Sequence, residues 1–149
     1  MIIKDFQKMV ALLDEDLNAR NGIIQAQYNQ YNIVASLNTV AIAYFDNITV
    51  GCGCFKKFSE TSVEIKRMFV APENRGLGIA DLILNELEIW AIELGYLEAI
   101  LETGLKQTEA IRLYTKLGYT NIDNYGQYIG NAFSICMRKK LNSSISTNC

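Results

Sequence analysis

The chain has 149 residues, of which half are hydrophobic and a fifth are charged, a composition typical of one compact globular domain rather than of a disordered segment. Its formal net charge of −2 at pH 7 predicts no general attraction to nucleic acid or to an anionic membrane surface. No apolar stretch reaches the roughly 18–20 residues that cross a bilayer, and the N-terminus has no signal-peptide pattern, so we expect a cytoplasmic protein.

The first third of the chain predicts helices followed by a β-hairpin. Apolar residues at helical spacing predict a helix over residues 5–18 and a second short helix over Ile23–Tyr28. Two segments rich in β-branched and aromatic residues, Thr39–Phe45 and Ile48–Phe55, predict strands. Asp46-Asn47 predicts the tight turn between them.

The rest of the chain predicts alternating strands and helices. Val63–Val70 alternates as a third strand, and an apolar stripe predicts the longest helix from Gly76 to Leu94. The later predicted elements are a strand over Leu97–Thr103, a helix over Gln107–Leu117, closing strands over Asn121–Tyr125 and Ala132–Arg138, and a frayed tail over 142–149. This order predicts one mixed α/β domain over residues 1–149, in which antiparallel strands lead into a parallel crossover.

The most informative segment joins the third strand to the long helix. Residues 70–80 read Val-Ala-Pro-Glu-Asn-Arg-Gly-Leu-Gly-Ile-Ala. A helix start offers about four backbone N–H groups without internal partners and the positive end of the helix dipole. Gly76 and Gly78 allow close approach of a bulky anion, and Arg75 adds a positive charge. We therefore expect a pyrophosphate site here.

The sequence does not match the residue spacing of two other phosphate-binding turns. A P-loop requires a Gly-Lys pair, which the chain lacks, and a dinucleotide-binding turn requires a third glycine where Asp81 stands. Residues 75–80, Arg-Gly-Leu-Gly-Ile-Ala, instead resemble the Arg/Gln-x-x-Gly-x-Gly/Ala pyrophosphate motif of the GNAT superfamily of N-acetyltransferases.

The resemblance covers roughly residues 39–140. Its parts are Glu64–Val70, which resembles the family's fourth strand; Leu101–Gly104, the end of its fifth; Ala110–Tyr119, the helix and turn that follow; and Asn124–Tyr128 with Ser134–Met137, the closing hairpin of a bacterial subgroup. It implies a central mixed, mostly antiparallel sheet of about six or seven strands flanked by helices, with the fourth and fifth strands splayed apart.

The resemblance also implies acetyl-CoA as co-substrate, with its pantetheine arm in the gap between the splayed strands. The backbone of Met68 and Val70 would hydrogen-bond the pantetheine, and an amide near Phe69 would polarise the thioester carbonyl. The pyrophosphate would be held by the N–H groups of Arg75, Gly76, Leu77, Gly78, Ile79 and Ala80. Gln107 stands where many members have an asparagine that contacts the pantetheine.

The implied reaction is direct attack of an amine on the thioester through a tetrahedral intermediate. An alkyl amine has a pKa of about 10, so a base must take its proton. Glu64 and Glu102 are the candidate bases, and a structural ion pair with Lys66 or Arg67 is the alternative role. Tyr114 matches the family's acid for the departing thiolate, and a core tyrosine with a satisfied hydroxyl is its alternative.

Histidine is absent, which removes the usual general base and the commonest metal ligand, so no metal site is expected. Cys52, Cys54 and Cys136 are expected to be buried free thiols, and Cys149 to be incidental. Four aromatic residues are either core or acceptor-pocket residues: Tyr44, Tyr125, Tyr128 and Phe133.

The expected acceptor is a small-molecule amine or an amino-acid-like compound, with a peptide as a further possibility. No nucleic-acid or membrane partner is expected, and a homodimer would be in keeping with the resemblance. The alternative function is a catalytically silent acetyl-CoA-binding regulatory module.

Overall fold

A computed structural model describes residues 39–45 and 47–141. The predicted helices over 5–18 and 23–28, the residue Asp46 and the predicted tail over 142–149 lie outside the described residues. The described chain divides into two compact units. The first unit holds residues up to 56 together with 66–87, and the second holds 57–65 together with 88–141. The single domain over residues 1–149 stays a prediction.

Six strands and two α-helices follow one another along the described residues. They are β1 (Thr39–Phe45), β2 (Ile48–Lys57), β3 (Ser62–Val70), α1 (Ile79–Glu93), β4 (Glu98–Gly104), α2 (Thr108–Lys116), β5 (Thr120–Ile122) and β6 (Ser134–Lys140), with short 3-10 turns at Pro72–Asn74 and Gly126–Tyr128. The sheet order is β1-β2-β3-β4-β6-β5. The β3–β4 pair is parallel, whereas β1–β2, β4–β6 and β5–β6 are antiparallel. This confirms the predicted mixed, mostly antiparallel sheet with flanking helices.

In the first unit, two glycines of β2 allow α1 to pack closely. Gly51 and Gly53 alternate along the strand with the buried Cys52 and Cys54. A Cβ atom on Gly53 would lie 2.4 Å from Met68 Sδ and 3.0 Å from Ile83 Cγ2. Glycine at this position therefore provides space that any larger residue would have to take from its neighbours.

We expect Gly53→Ala to lower the free energy of unfolding by about 1–3 kcal/mol, because the added methyl group overpacks this contact. Urea denaturation of the purified variant measures the change. The penalty should be smaller when Gly53→Ala is introduced into a Met68→Ala background, since the atom nearest to the new methyl group is then gone. A single variant as stable as the wild type would contradict this packing.

Helix α1 begins three residues later than predicted. The sequence predicts a start at Gly76, but Gly76 and Gly78 have φ angles of +83° and +81°. These left-handed conformations are incompatible with an α-helix, so the turn before Ile79 is irregular. The first helical N–H bond is the one from Leu82 to the Gly78 carbonyl, at 3.2 Å.

In the second unit, β4 pairs with β6 over its whole length, from Glu98↔Lys140 to Gly104↔Ser134. Its parallel pairing with β3 joins Ser62–Ile65 to Glu98–Leu101 only. β5 then pairs with β6 from the other side. The side chains most deeply buried in this unit include Val63, Ala99, Leu101, Tyr119 and Met137.

The two closing strands differ from their predicted bounds. β5 ends at Ile122 rather than Tyr125, and β6 begins at Ser134 rather than Ala132. The Asn124 amide donates hydrogen bonds to the carbonyls of Tyr128 and Asn131, at 3.1 and 3.0 Å. These bonds hold the connection as a closed loop, which shortens the hairpin. No helix of the described residues is long and apolar enough to cross a lipid bilayer.

Candidate functional site

Strand β3 is interrupted in its middle. Arg67 has a φ of 57°, which is uncommon for a residue other than glycine. Lys66 and Arg67 are consecutive charged residues of this strand, and both are buried. Thiols of β2 contact their carbonyls: Cys54 Sγ lies 3.2 Å from the Lys66 oxygen, and Cys52 Sγ lies 3.6 Å from the Arg67 oxygen. This geometry is that of a β-bulge, which turns the following residues to new directions.

The end of β3 turns the backbone of Met68 and Val70 away from β2. The Ala71 N–H donates to the Val50 carbonyl on β2, at 2.8 Å. Because backbone groups alternate in direction along a strand, the N–H and C=O groups of Val70 and Met68 face the opposite way. The Val70 carbonyl accepts a hydrogen bond on that side from Arg75 Nε, at 2.9 Å.

The Arg75 side chain folds back over the end of β3. Its guanidinium carbon lies 5.5 Å from the centre of the buried Phe69 ring, within the range of a cation–π contact. The Arg75 N–H donates to the Pro72 carbonyl at 3.3 Å. That N–H, which the sequence places among the pyrophosphate donors, is therefore used within the chain, whereas the guanidinium keeps its positive charge beside the turn.

The turn from Gly76 to Ala80 is open and rich in hydrogen-bond donors. Among the described residues, none accepts a hydrogen bond from the five backbone N–H groups of Gly76, Leu77, Gly78, Ile79 and Ala80. A Cβ atom added to Gly76 or Gly78 would meet no atom of the described chain within 4 Å. The Leu77 side chain is 65% exposed. N–H groups without an internal acceptor at the positive end of a 15-residue helix are the kind of donors that bind anions in proteins.

Glu64, in the part of β3 that belongs to the second unit, is held by a tyrosine. It is only 3% exposed. Its Oε2 atom accepts a hydrogen bond of 2.8 Å from the Tyr125 hydroxyl. Burial, followed by the charge of Glu64, raises the pKa of Tyr125, so this hydroxyl stays protonated and remains a donor. The sequence offers Tyr125 as a pocket or core residue, and its bond to Glu64 is a new finding.

Glu102, on β4, has an analogous hydroxyl partner. Its Oε2 atom accepts a hydrogen bond of 2.8 Å from the Ser134 hydroxyl. Glu102 is half-buried and lies opposite Cys136 in the β4–β6 ladder. Both candidate bases therefore accept a hydrogen bond from a hydroxyl group.

Tyr114 is buried on α2, with its ring edge-on to Tyr119 at a centroid distance of 5.7 Å. No group of the described residues makes a hydrogen bond with its hydroxyl, so the alternative of a core tyrosine with a satisfied hydroxyl finds no support in that part of the chain. Burial, followed by the charge of Glu102, raises the pKa of Tyr114. The phenol is consequently protonated throughout the neutral range and can donate its proton.

A buried network beside Tyr114 has no counterpart in the sequence analysis. Glu88 of α1 accepts hydrogen bonds from the Tyr119 hydroxyl and from Lys139 Nζ, each at 2.8 Å. Lys139 Nζ also lies 5.8 Å from the centre of the Tyr119 ring. The network compensates the charge of Glu88 and fixes Tyr119. On the helix pattern alone Glu88 resembles any other glutamate of a solvated face, so no sequence signal separates it.

Gln107 lies immediately before α2. Its N–H donates to the Gly104 carbonyl and its carbonyl accepts from the Ile111 N–H, at 2.9 and 3.0 Å. Its side chain is half-buried. Contact of this side chain with pantetheine stays a prediction.

Cys52, Cys54 and Cys136 are buried free thiols, as predicted. Burial is the main cause that raises the pKa of Cys52 and of Cys54 to about 12, and it also raises the pKa of Cys136. These thiols are therefore protonated at neutral pH and lack the thiolate that a nucleophile requires.

Comparison with known proteins gives a consistent family. Residues 6–119 match the family model of the acetyltransferase (GNAT) family. The chain is 36% identical over 143 residues to a protein of Azospirillum brasilense named IAA acetyltransferase, which spans 91% of this chain and 92% of that relative.

Solved structures show the same fold. A candidate acyl-CoA N-acyltransferase of Klebsiella pneumoniae aligns with a TM-score of 0.75 and 29% identity, over 92% of this chain and 90% of that one. A GNAT family acetyltransferase of Elizabethkingia anophelis with acetyl-CoA bound aligns with a TM-score of 0.64 and 22% identity, over 78% of this chain and 82% of that one. At the latter identity the likeness shows the fold alone.

Proposed function

Because this chain belongs to the GNAT family of acetyltransferase enzymes, we propose that it transfers the acetyl group of acetyl-CoA to the amine of a small molecule. One observation carries the proposal: the open turn from Gly76 to Ala80, whose five N–H groups have no acceptor among the described residues. Donors that are already in position raise the affinity for an anion, because no free energy is then lost in ordering them when the anion binds.

The positive charge and the open space at the turn support a pyrophosphate as its ligand. The N–H groups of residues 76–80 would bind the phosphate oxygens, and the N-terminal end of α1 adds the positive end of its dipole. Arg75, anchored on Val70 and Phe69, would place its positive charge at the same turn. The positive φ of Gly76 and Gly78 is what leaves the space that a bulky anion needs.

The backbone at the end of β3 would hold the pantetheine. The backbone groups of Met68 and the N–H of Val70 point away from β2, where an extended chain would pair with them, whereas the Val70 carbonyl already accepts from Arg75 Nε. Bound acetyl-CoA supplies the activated thioester. An amide beside Phe69, which the bulge at Arg67 re-aims, would donate to the thioester carbonyl and lower the barrier by several kcal/mol.

Proton transfer falls to Glu64 or Glu102 and to Tyr114. One of the two carboxylates would accept the proton of the acceptor ammonium, directly or through water. Tyr114, protonated in the neutral range, would donate to the departing thiolate. Direct transfer without an acyl-enzyme agrees with the described cysteines, which are buried and protonated.

The proposed acceptor is a small molecule. The relative at 36% identity is named for a small-molecule acceptor, IAA, and it matches this chain over nearly its full length. The formal charge of −2 is spread without a strongly acidic or basic run, which suits a small amine and gives no basis for recognising a highly charged polymer.

Thiol release tests the proposed function. Purified protein is incubated with acetyl-CoA and a panel of small amines, and free CoA is quantified with a thiol reagent while mass spectrometry identifies the acetylated product. We expect release that depends on the amine and on the protein. Tight CoA binding without acetyl transfer to any amine would instead support the alternative of a silent acetyl-CoA-binding module.

A further inference from the structure

We propose that Tyr125 is a positioning residue that acts through Glu64, so that Glu64 rather than Glu102 is the base of the reaction. This inference rests on the proposed function. It adds a residue 61 positions away in the sequence and a choice between the two candidate carboxylates.

The first observation is the hydrogen bond itself. The Tyr125 hydroxyl donates to Glu64 Oε2 at 2.8 Å and so restrains the position of the carboxylate. A hydrogen bond from a neutral donor to an ionised carboxylate is short and strong. Because Glu64 is buried, its carboxylate has little water to take over this role.

The second observation is that two aromatic rings pack against the ring of Tyr125. Phe58 packs edge-on to it at 5.1 Å, and Tyr128 packs edge-on at 5.5 Å with an interplanar angle of 89°. Such edge-to-face pairs favour one ring orientation. The packed ring therefore restrains the position of its hydroxyl, and the hydrogen bond in turn restrains the Glu64 carboxylate.

The third observation separates Glu64 from Glu102. The hydroxyl that donates to Glu102 belongs to a serine, whereas the hydroxyl that donates to Glu64 is carried by a ring packed between two aromatic residues. Glu102 also has its charge close enough to Tyr114 to raise the pKa of that phenol. Glu102 is thus placed to affect the acid, whereas Glu64 is the carboxylate with a rigid support.

A double-mutant cycle on turnover tests the inference. The variants are Tyr125→Phe, which keeps the ring and removes only the hydroxyl, Glu64→Gln, and the two together. We expect Tyr125→Phe to lower kcat on the order of 10- to 100-fold through misplacement of the base, with KM for acetyl-CoA within about twofold. In the Glu64→Gln background, Tyr125→Phe should lower kcat hardly any further, because the carboxylate through which Tyr125 acts is already absent.

Tyr119→Phe is the matched control. It also removes a tyrosine hydroxyl that donates to a buried glutamate, but the glutamate is Glu88. Thermal unfolding should show similar loss of stability in both single variants, while Tyr119→Phe keeps kcat within about threefold of the wild type. A loss of kcat that follows stability in both variants would overturn the inference.

The remaining outcomes distinguish the inference from the function on which it rests. Full activity of Glu64→Gln, or losses that multiply in the double variant, would overturn the role of Tyr125 while leaving the acetyltransferase intact. Failure of the wild type to acetylate any amine would overturn the proposed function, and the role of Tyr125 with it.

Discussion

Tyr114→Phe is expected to lower kcat about 10²- to 10³-fold, the range in which loss of a general acid falls. The variant removes one oxygen atom and keeps the ring against Tyr119. Because burial and the charge of Glu102 raise the pKa of Tyr114, the wild-type phenol is protonated at every pH near neutrality. In the variant the thiolate would have to leave without a proton from the protein.

Affinity separates this role from a structural one. Isothermal calorimetry should give a dissociation constant for CoA within about twofold of the wild type, because the loss of a transition-state interaction leaves ground-state binding in place. Tyr96→Phe, at a tyrosine in the α1–β4 connection outside the proposed site, controls for loss of a phenol oxygen. Unchanged turnover in Tyr114→Phe would remove Tyr114 from the mechanism.

Arg75→Glu is expected to raise the dissociation constant for CoA on the order of 10²-fold. A unit charge about 5 Å from a phosphate interacts with it by roughly 3 kcal/mol at an effective dielectric constant near 20. Reversing its sign changes the interaction by roughly 7 kcal/mol before screening, and screening by water and salt at this open turn reduces the change to about 3 kcal/mol. The substitution also releases the side chain from Val70 and Phe69. Calorimetry with CoA measures the loss, and it should diminish as salt is added.

Arg112→Glu is the control for this second prediction. It makes the same change in net charge at an exposed position of α2, and CoA affinity should stay near that of the wild type. Circular dichroism of Arg75→Glu checks that the fold is kept. Equal affinity in Arg75→Glu and wild type would mean that no phosphate lies at this turn.

The strands could be predicted from sequence because their signals are local. Thr39–Phe45 matches the observed β1 at both ends, β3 begins one residue earlier than predicted, and β4 is shifted by one residue at both ends. The predicted start of α1 was wrong because two glycines with apolar neighbours fit the pattern of a helix as well as that of an irregular turn. Their left-handed conformations depend on the path of the chain after Pro72, which periodicity does not encode.

The candidate site was predictable in its motif and not in its partners. The turn at residues 75–80 follows from a contiguous motif, and Tyr114 was selected by its resemblance to the acid of the family. The hydroxyl partners of the two glutamates do not, because Tyr125 and Ser134 are 61 and 32 residues away from them in the sequence. The bulge at Arg67 was likewise not predicted, because a strand pattern read from residue type does not show a left-handed φ at a residue other than glycine.

Titration of ¹⁵N-labelled protein with CoA, followed by the amide resonances of Gly76 to Ala80, tests whether these backbone N–H groups are a preformed anion site. Pantetheine, which lacks the pyrophosphate, serves as the comparison ligand. We expect the five resonances to shift strongly downfield with CoA and to move little with pantetheine, as hydrogen bonds to phosphate form only with the former. Saturation by CoA with these five amides unmoved would contradict the account.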